Sequence, residues 1–230
     1  MLEILDTGIS SAEENMRFDE KLLENLLPNA KPILHLYRWA RPSATFGYFI
    51  DPKEHLRPHL GIDLARRPTG GGILFHIWDL AFSFLMPAEH PCFSQNTLTN
   101  YQFVNKAVLE AVEAYFSLPG ELIASDSPSL APECKNFCMA KPTQYDVIYR
   151  GTKIAGAAQR KRKQGYLHQG TISLLAPNIE LLQEILLSSH VVTAMTSFTF
   201  SPLTETNQLE TVKRDLEKLL ADKLNKALSS

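Results

Sequence analysis

The chain has 230 residues, 44% of them hydrophobic and 21% charged, with a formal net charge of −2. That is globular composition, long enough for one large core, and it gives no global positive field for nucleic acid. Three cysteines (Cys92, Cys134 and Cys138) form no disulfide framework and suit a reducing cytoplasm. No apolar run reaches the length of a membrane span, and the acidic N-terminal segment has no basic-then-apolar signal pattern.

In chain order, residues 11–27 predict a helix. Ser11 and Glu14 have capping-box spacing, Phe18, Leu22 and Leu26 share a face, and Pro28 ends it. ILHLYRW (33–39) predicts a strand, and RPSATFGYF then turns the chain through Pro42 and Gly47. A short helix or irregular piece covers 51–60. IDLARR (62–67) predicts a strand end, while ILFH (73–76) and AFSFLM (81–86) predict buried strands. Tyr101, Val104, Val108, Ala111 and Tyr115 predict a helix over 98–116, which Pro119-Gly120 ends. Residues 121–136 read as a loop, either a lid or a plain connection. QYDVIY (144–149) and TKIAGAA (152–158), parted by Arg150-Gly151, predict a hairpin. After the basic RKRK (160–163), YLHQGTISLL predicts another strand, and 178–187 and 204–228 predict helices. Strands dominate the middle without regular alternation with helices. The expected fold class is therefore α+β, a mixed, largely antiparallel sheet packed with helices, in one domain over 1–230.

Two segments carry candidate chemistry. RRPTGGGILFH (66–76) holds three successive glycines, which permit positive φ and close approach of a ligand to the backbone. It is either a ligand-binding turn, with Arg66 and Arg67 attracting an anion, or a tight structural turn. Arg67 could equally pair with a buried carboxylate, and His76 could be a satisfied core histidine. In the second segment, Lys153 opens an apolar strand. It either faces solvent or, if buried, must find an anion. Asp146, across the hairpin, is a candidate to orient it, and Gly156, Ala157 and Ala158 leave room for a ligand. The RKRK run is a solvated face or an attractor for an acidic protein or phosphate.

Taken in order, RRPTGGGILFH, GTKIAGAAQ and LHQGTISL resemble motifs of the lipoate–protein ligase, octanoyltransferase and biotin–protein ligase catalytic-domain superfamily. RWARPSATFGYF (38–49) also resembles its early strand and turn, and the similarity covers roughly residues 10–190. The resemblance implies that Arg67, Gly70, Gly71 and Gly72 contact an acyl-adenylate or lipoyl group and that Lys153 meets the acyl carbonyl and phosphate region. His76, Asp146 and Gly156 occupy neighbouring motif positions. The leading expectation is a ligase that activates lipoate or octanoate with ATP and Mg2+. Its acceptor would be a lysine of a lipoyl domain, in a 2-oxoacid dehydrogenase or the glycine cleavage H protein. The triple glycine and Asp146 favour it.

An alternative rests on Cys138. FCMAKPTQYD resembles the Cys–x–x–x–Pro–[ST]–x–Tyr–[DE] arrangement of octanoyltransferases that work through a thioester, matched at Cys138, Pro142, Thr143, Tyr145 and Asp146. Such an enzyme takes octanoate from acyl-carrier protein and needs no ATP. A nucleophilic Cys138 is expected to approach the Lys153 ammonium across one cavity, within about 3–4 Å or at a separation that loop motion can bridge. Gln169 stands where both branches have His, and His168, one residue earlier, should face the other way along a strand. That departure leaves open a third reading, a protein that binds a lipoyl domain or acyl ligand without turnover. The 204–228 helix is too little for the family's accessory domain, which implies a separate accessory subunit or a reaction that needs none. A cytoplasmic protein without nucleic-acid, membrane or metal site is expected, since Cys134 and Cys138 have no convincing further ligands.

Overall fold

The computed structural model describes residues 1–58, 61–126 and 132–229. The longest apolar runs make its centre. Strands β6 (Asp79–Pro87) and β10 (Gly165–Ser173) are buried at every position and pair antiparallel along their whole length. Strands covered on both faces need no polar alternation, which is why β6 reads as a nearly continuous apolar run, while β10 also buries His168, Gln169 and Thr171.

Around them runs a seven-stranded sheet in the order β1-β2-β6-β10-β9-β8-β7. Its other members are β1 (Glu3–Ser10), β2 (Ile33–Trp39), β7 (Glu121–Leu122), β8 (Val147–Tyr149) and β9 (Thr152–Arg162). The β1–β2 pair is parallel and the remaining pairs are antiparallel. A second sheet, β4-β3-β5, holds β3 (Ser43–Phe46), β4 (Asp63–Arg66) and β5 (Ile73–His76). Helix α1 (Ala12–Glu24) opens with the expected capping box at Ser11 and Glu14. Helices α2 (Thr97–Phe116) and α5 (Leu209–Ala227) bury Val104, Val108, Leu216 and Leu220 against Phe82, Phe84 and Tyr166 of the large sheet. Helices α3 (Ile179–Ile185) and α4 (Ser189–Phe198) pack with Phe75, Phe137 and Ala140 in a second cluster. That cluster fixes the small sheet and the cysteine segment relative to each other. The class is α+β, a mixed, largely antiparallel sheet packed with helices.

Several boundaries differ from expectation. The N-terminus forms β1, a strand whose exposed Ile4 and Ile9 hide the pattern of burial. RPSATFGYF contains β3, buried between β4 and β5, and not merely a turn. Residues 121–136 include β7 and a short 3-10 turn at Pro132–Asn136; positions 127–131 of that expected loop lie outside the described residues. Helix α4 was not anticipated: His and two Thr dilute its apolar face. The Arg150-Gly151 turn is present, with φ of 48° and 79°, the pair of positive angles that suits a two-residue hairpin. The strand after it reaches Arg162, so most of RKRK lies within β9.

Candidate active site

The glycine turn joins β4 to β5 and is held from beneath by Arg67. This guanidinium is buried, 4% exposed, and among the described residues no carboxylate pairs with it. It donates instead to Thr45 O (3.0 Å), Thr45 Oγ1 (2.7 Å), Gly70 O (3.1 Å) and Gly72 O (2.6 Å). A buried cation satisfied by neutral acceptors keeps its charge uncancelled and available to an anion. Of the three glycines only Gly71 has positive φ, 83°. Gly72 is required for a different reason: a Cβ there would collide with the Asn136 carbonyl. A Cβ on Gly70 would meet open space.

Cys138 enters this turn. Gly72 N–H donates to its Sγ at 3.2 Å, and Arg67 Nη2 lies 3.9 Å from the same sulfur. Both donors turn positive ends toward Sγ, an arrangement complementary to negative charge at that atom. Lys153 Nζ donates to the carbonyl oxygen of Cys138 at 3.0 Å, while Sγ accepts from the glycine turn. The two residues nonetheless line one cavity.

Lys153 is buried, and its ammonium pairs with Asp146 Oδ2 at 2.7 Å. Asp146 is fully buried and receives further donors from Thr143 N (2.7 Å), Thr143 Oγ1 (2.9 Å) and Tyr101 Oη (2.7 Å). Tyr101 Oη in turn accepts from Ala157 N at 2.7 Å. Burial, and secondarily the Asp146 charge, hold the Tyr101 phenol well above its ordinary range, so it stays a neutral donor. Gly156 makes room for the pair: a Cβ there would lie 2.5 Å from both Asp146 Oδ1 and Lys153 Cε.

His76 behaves as a satisfied core histidine at the wall of the same cavity. Its Nδ1 meets Asp79 Oδ2 at 2.8 Å, its Nε2 meets Thr45 Oγ1 at 2.8 Å, and its ring stacks on Trp39 at 4.2 Å. Gln169 faces the cavity, and His168 faces away from it. Gln169 accepts from Thr69 Oγ1 (2.7 Å) and donates to Asp19 Oδ2 (2.6 Å), tying the glycine turn to α1. Asp19 also pairs with the buried His35 (2.7 Å). His168 packs between Phe82 and Tyr101, and its burial lowers its pKa to about 3.

Arg67, His76, Cys138, Lys153 and Gly156 thus line one small cavity, with Gly70 and Gly72 bonded to Arg67, Gly71 beside Arg67 and Cys138, and Asp146 behind Lys153. Thr69 and Thr143, both inside the motifs quoted above, join them, and so do Thr45, Tyr101 and Asp19, which did not stand out in the sequence. Each is a lone hydroxyl or carboxylate in an otherwise structural segment, and only the three-dimensional contacts single it out. The cavity measures ≈ 20 Å³, room for about one water. Met139 and Leu74 separate it from an apolar neighbour of ≈ 30 Å³ lined by Trp78, Leu175 and Met195. An acyl chain needs these side chains to part. Among the described residues no group of three His, Cys, Asp or Glu is arranged for a metal. Asp146 Oδ2 accepts from Lys153, Thr143 N and Thr143 Oγ1, and among the described residues Oδ1 accepts from Tyr101 Oη.

Residues 11–220 match the lipoyl protein ligase A/B catalytic domain. The chain belongs to this family. It is 31% identical to an octanoyltransferase LipM of Carboxydothermus hydrogenoformans over 167 residues, which cover 70% of the chain and 61% of that relative. The chain therefore spans less than two thirds of that protein's length. Further relatives at 28–30% identity carry the same name. In fold it is similar to a lipoate-protein ligase A bound with ATP, with TM-score 0.68, 21% identity and coverage of 99% and 92%. It is also similar to a bi-partite lipoate protein ligase described with its E2 lipoyl domain, from Thermoplasma acidophilum. There the TM-score is 0.67, the identity 20% and the coverage 100% and 94%.

Proposed function

We propose that the protein transfers an octanoyl group from a carrier-protein thioester to a lysine of a lipoyl domain, through a thioester on Cys138. The observation that carries this reading is the seat of Cys138 Sγ on the glycine turn, 3.2 Å from Gly72 N, in the cavity lined also by Lys153. The names of the relatives point the same way. The ligase expectation, with ATP and Mg2+, gives way to it as the preferred reading.

The steps balance without ATP. The Cys138 thiolate attacks the thioester carbonyl, the carrier thiolate leaves and takes a proton, and octanoyl-Cys138 remains. The neutral amine of the acceptor lysine then attacks that carbonyl, the Cys138 thiolate leaves, and the amide forms with loss of the amine proton. In each tetrahedral intermediate the oxyanion would find donors among the turn N–H groups and the Lys153 ammonium. Asp146 and Tyr101 keep that ammonium in place.

The test is intact-protein mass after incubation with octanoyl-acyl-carrier protein. One octanoyl group should be added, none in Cys138→Ala, and the adduct should disappear on addition of an apo lipoyl domain. Absence of the adduct, together with lipoate-dependent exchange between pyrophosphate and ATP, would overturn the reading in favour of the ligase.

A further inference from the structure

Gly71, beside Arg67, Ala158 and Cys138 of the lining, marks the mouth of the cavity. Gly71 is exposed there. Beside it the segment after β3 folds onto the glycine turn, with Gly47 N donating to Gly72 O (3.3 Å) and Tyr48 N to Thr69 O (3.2 Å). This lifts two aromatic rings into solvent: Tyr48 is 50% exposed and Phe49 92%. The tip is stiffened by cations. Arg66 Cζ lies 5.6 Å and Arg160 Cζ 5.7 Å from the Tyr48 ring, and Arg160 also donates to Pro68 O at 2.9 Å. Exposed, preorganised aromatic and arginine side chains are the composition of protein–protein hot spots.

The charge continues outward. Along β9, Ala158 lines the cavity, and Arg160 and Arg162 alternate onto the same face, with Lys163 in the turn beyond. Arg66, Arg162 and Lys163 pair with no carboxylate among the described residues, while Arg160 has Glu20 at 3.4 Å. Four cations on one rim of a chain with net charge −2 form a local field that selects an acidic face.

We infer that this rim is the docking surface for the acidic protein that delivers the acyl group, with Phe49 as its apolar anchor. The inference rests on the transferase reading above. The geometry favours the donor over the acceptor. The cations run away from the mouth along β9 at about 3.3 Å per residue. A partner held by them sits beside the mouth and must hand the thioester in on an arm, as a carrier protein does.

Acylation of Cys138 should be compared for octanoyl-acyl-carrier protein and octanoyl-pantetheine, in the wild type, Arg162→Glu/Lys163→Glu and Phe49→Ser. In the charge-reversed variant the KM for the carrier protein should rise about tenfold and lose its salt dependence. Phe49→Ser should raise the same KM without changing the salt dependence. Acylation by octanoyl-pantetheine and the KM for the lipoyl domain should stay at wild-type values in both. A carrier-protein KM within twofold of wild type, equal slowing with both thioesters, or a rise in the lipoyl-domain KM instead would each overturn the docking proposal. The transferase reading would survive those results. A wild-type protein acylated by neither thioester would overturn both.

Discussion

Asp146→Asn is the sharpest perturbation of the site. The asparagine can keep its size and much of its bonding: Oδ1 can accept from Lys153 and Thr143, and Nδ2 can donate to Tyr101 Oη. What disappears is the negative charge 2.7 Å from an ammonium that is 4% exposed. Lys153 is then left with the Cys138 carbonyl as its other acceptor. Removing one partner of a buried ion pair costs about 3–5 kcal/mol. The converse change, Lys153→Met, leaves Asp146 with Thr143 N, Thr143 Oγ1 and Tyr101 Oη as donors. Its cost should be smaller, about 1–3 kcal/mol, since a carboxylate bonded by several donors is partly compensated. The double variant removes both charges and should recover part of the Asp146→Asn loss, so the coupling energy should exceed the Lys153→Met cost. Urea unfolding at neutral pH measures all three. If Lys153→Met is as destabilising as Asp146→Asn, or the two effects simply add, the buried pair is not organised as described.

Gly71→Ala imposes a side chain at φ 83° and puts a Cβ 3.2 Å from Arg67 Nη2 and 3.5 Å from Cys138 Sγ. It should cost about 1 kcal/mol or more in stability and slow acylation of Cys138 more strongly than the stability loss explains. Gly156→Ala crowds Asp146 and Lys153 and should cost about 1–3 kcal/mol in urea unfolding. Stability should also respond to pH through His168. Its folded pKa, about 3, lies below the unfolded value of 6.5, so the unfolded state binds the extra proton between them. Stability is therefore full above pH 6.5 and falls as pH drops through that window, with a limiting slope of about 1.4 kcal/mol per unit. His168→Gln should remove about that much slope between pH 6 and 5; an unchanged slope would show that His168 takes up its proton without unfolding.

Much of the architecture was legible because burial leaves a pattern. The run that became β6 is largely apolar, the capping box marks the start of α1, and α2 repeats at helical spacing up to Pro119-Gly120. β1, β3 and α4 were missed for the corresponding reason. Each is short or lies at an edge, and its apolar residues are exposed or diluted. Such elements form because neighbours cover them, and that information sits elsewhere in the chain.

The seat of Cys138 marks the same division in the chemistry. By itself the sequence determined the order of the glycine turn, the cysteine segment and the Lys153 strand, and so the family and the residue types of the site. It could not decide that Lys153 turns inward onto Asp146, that Arg67 bonds to Thr45, Gly70 and Gly72, or that Sγ faces Gly72 N–H while Lys153 takes the carbonyl. Those outcomes depend on which groups meet when two sheets and the 132–140 segment close around one cavity. A buried charge or thiol takes its character from partners distant in sequence, and only packing in three dimensions brings them within hydrogen-bonding range.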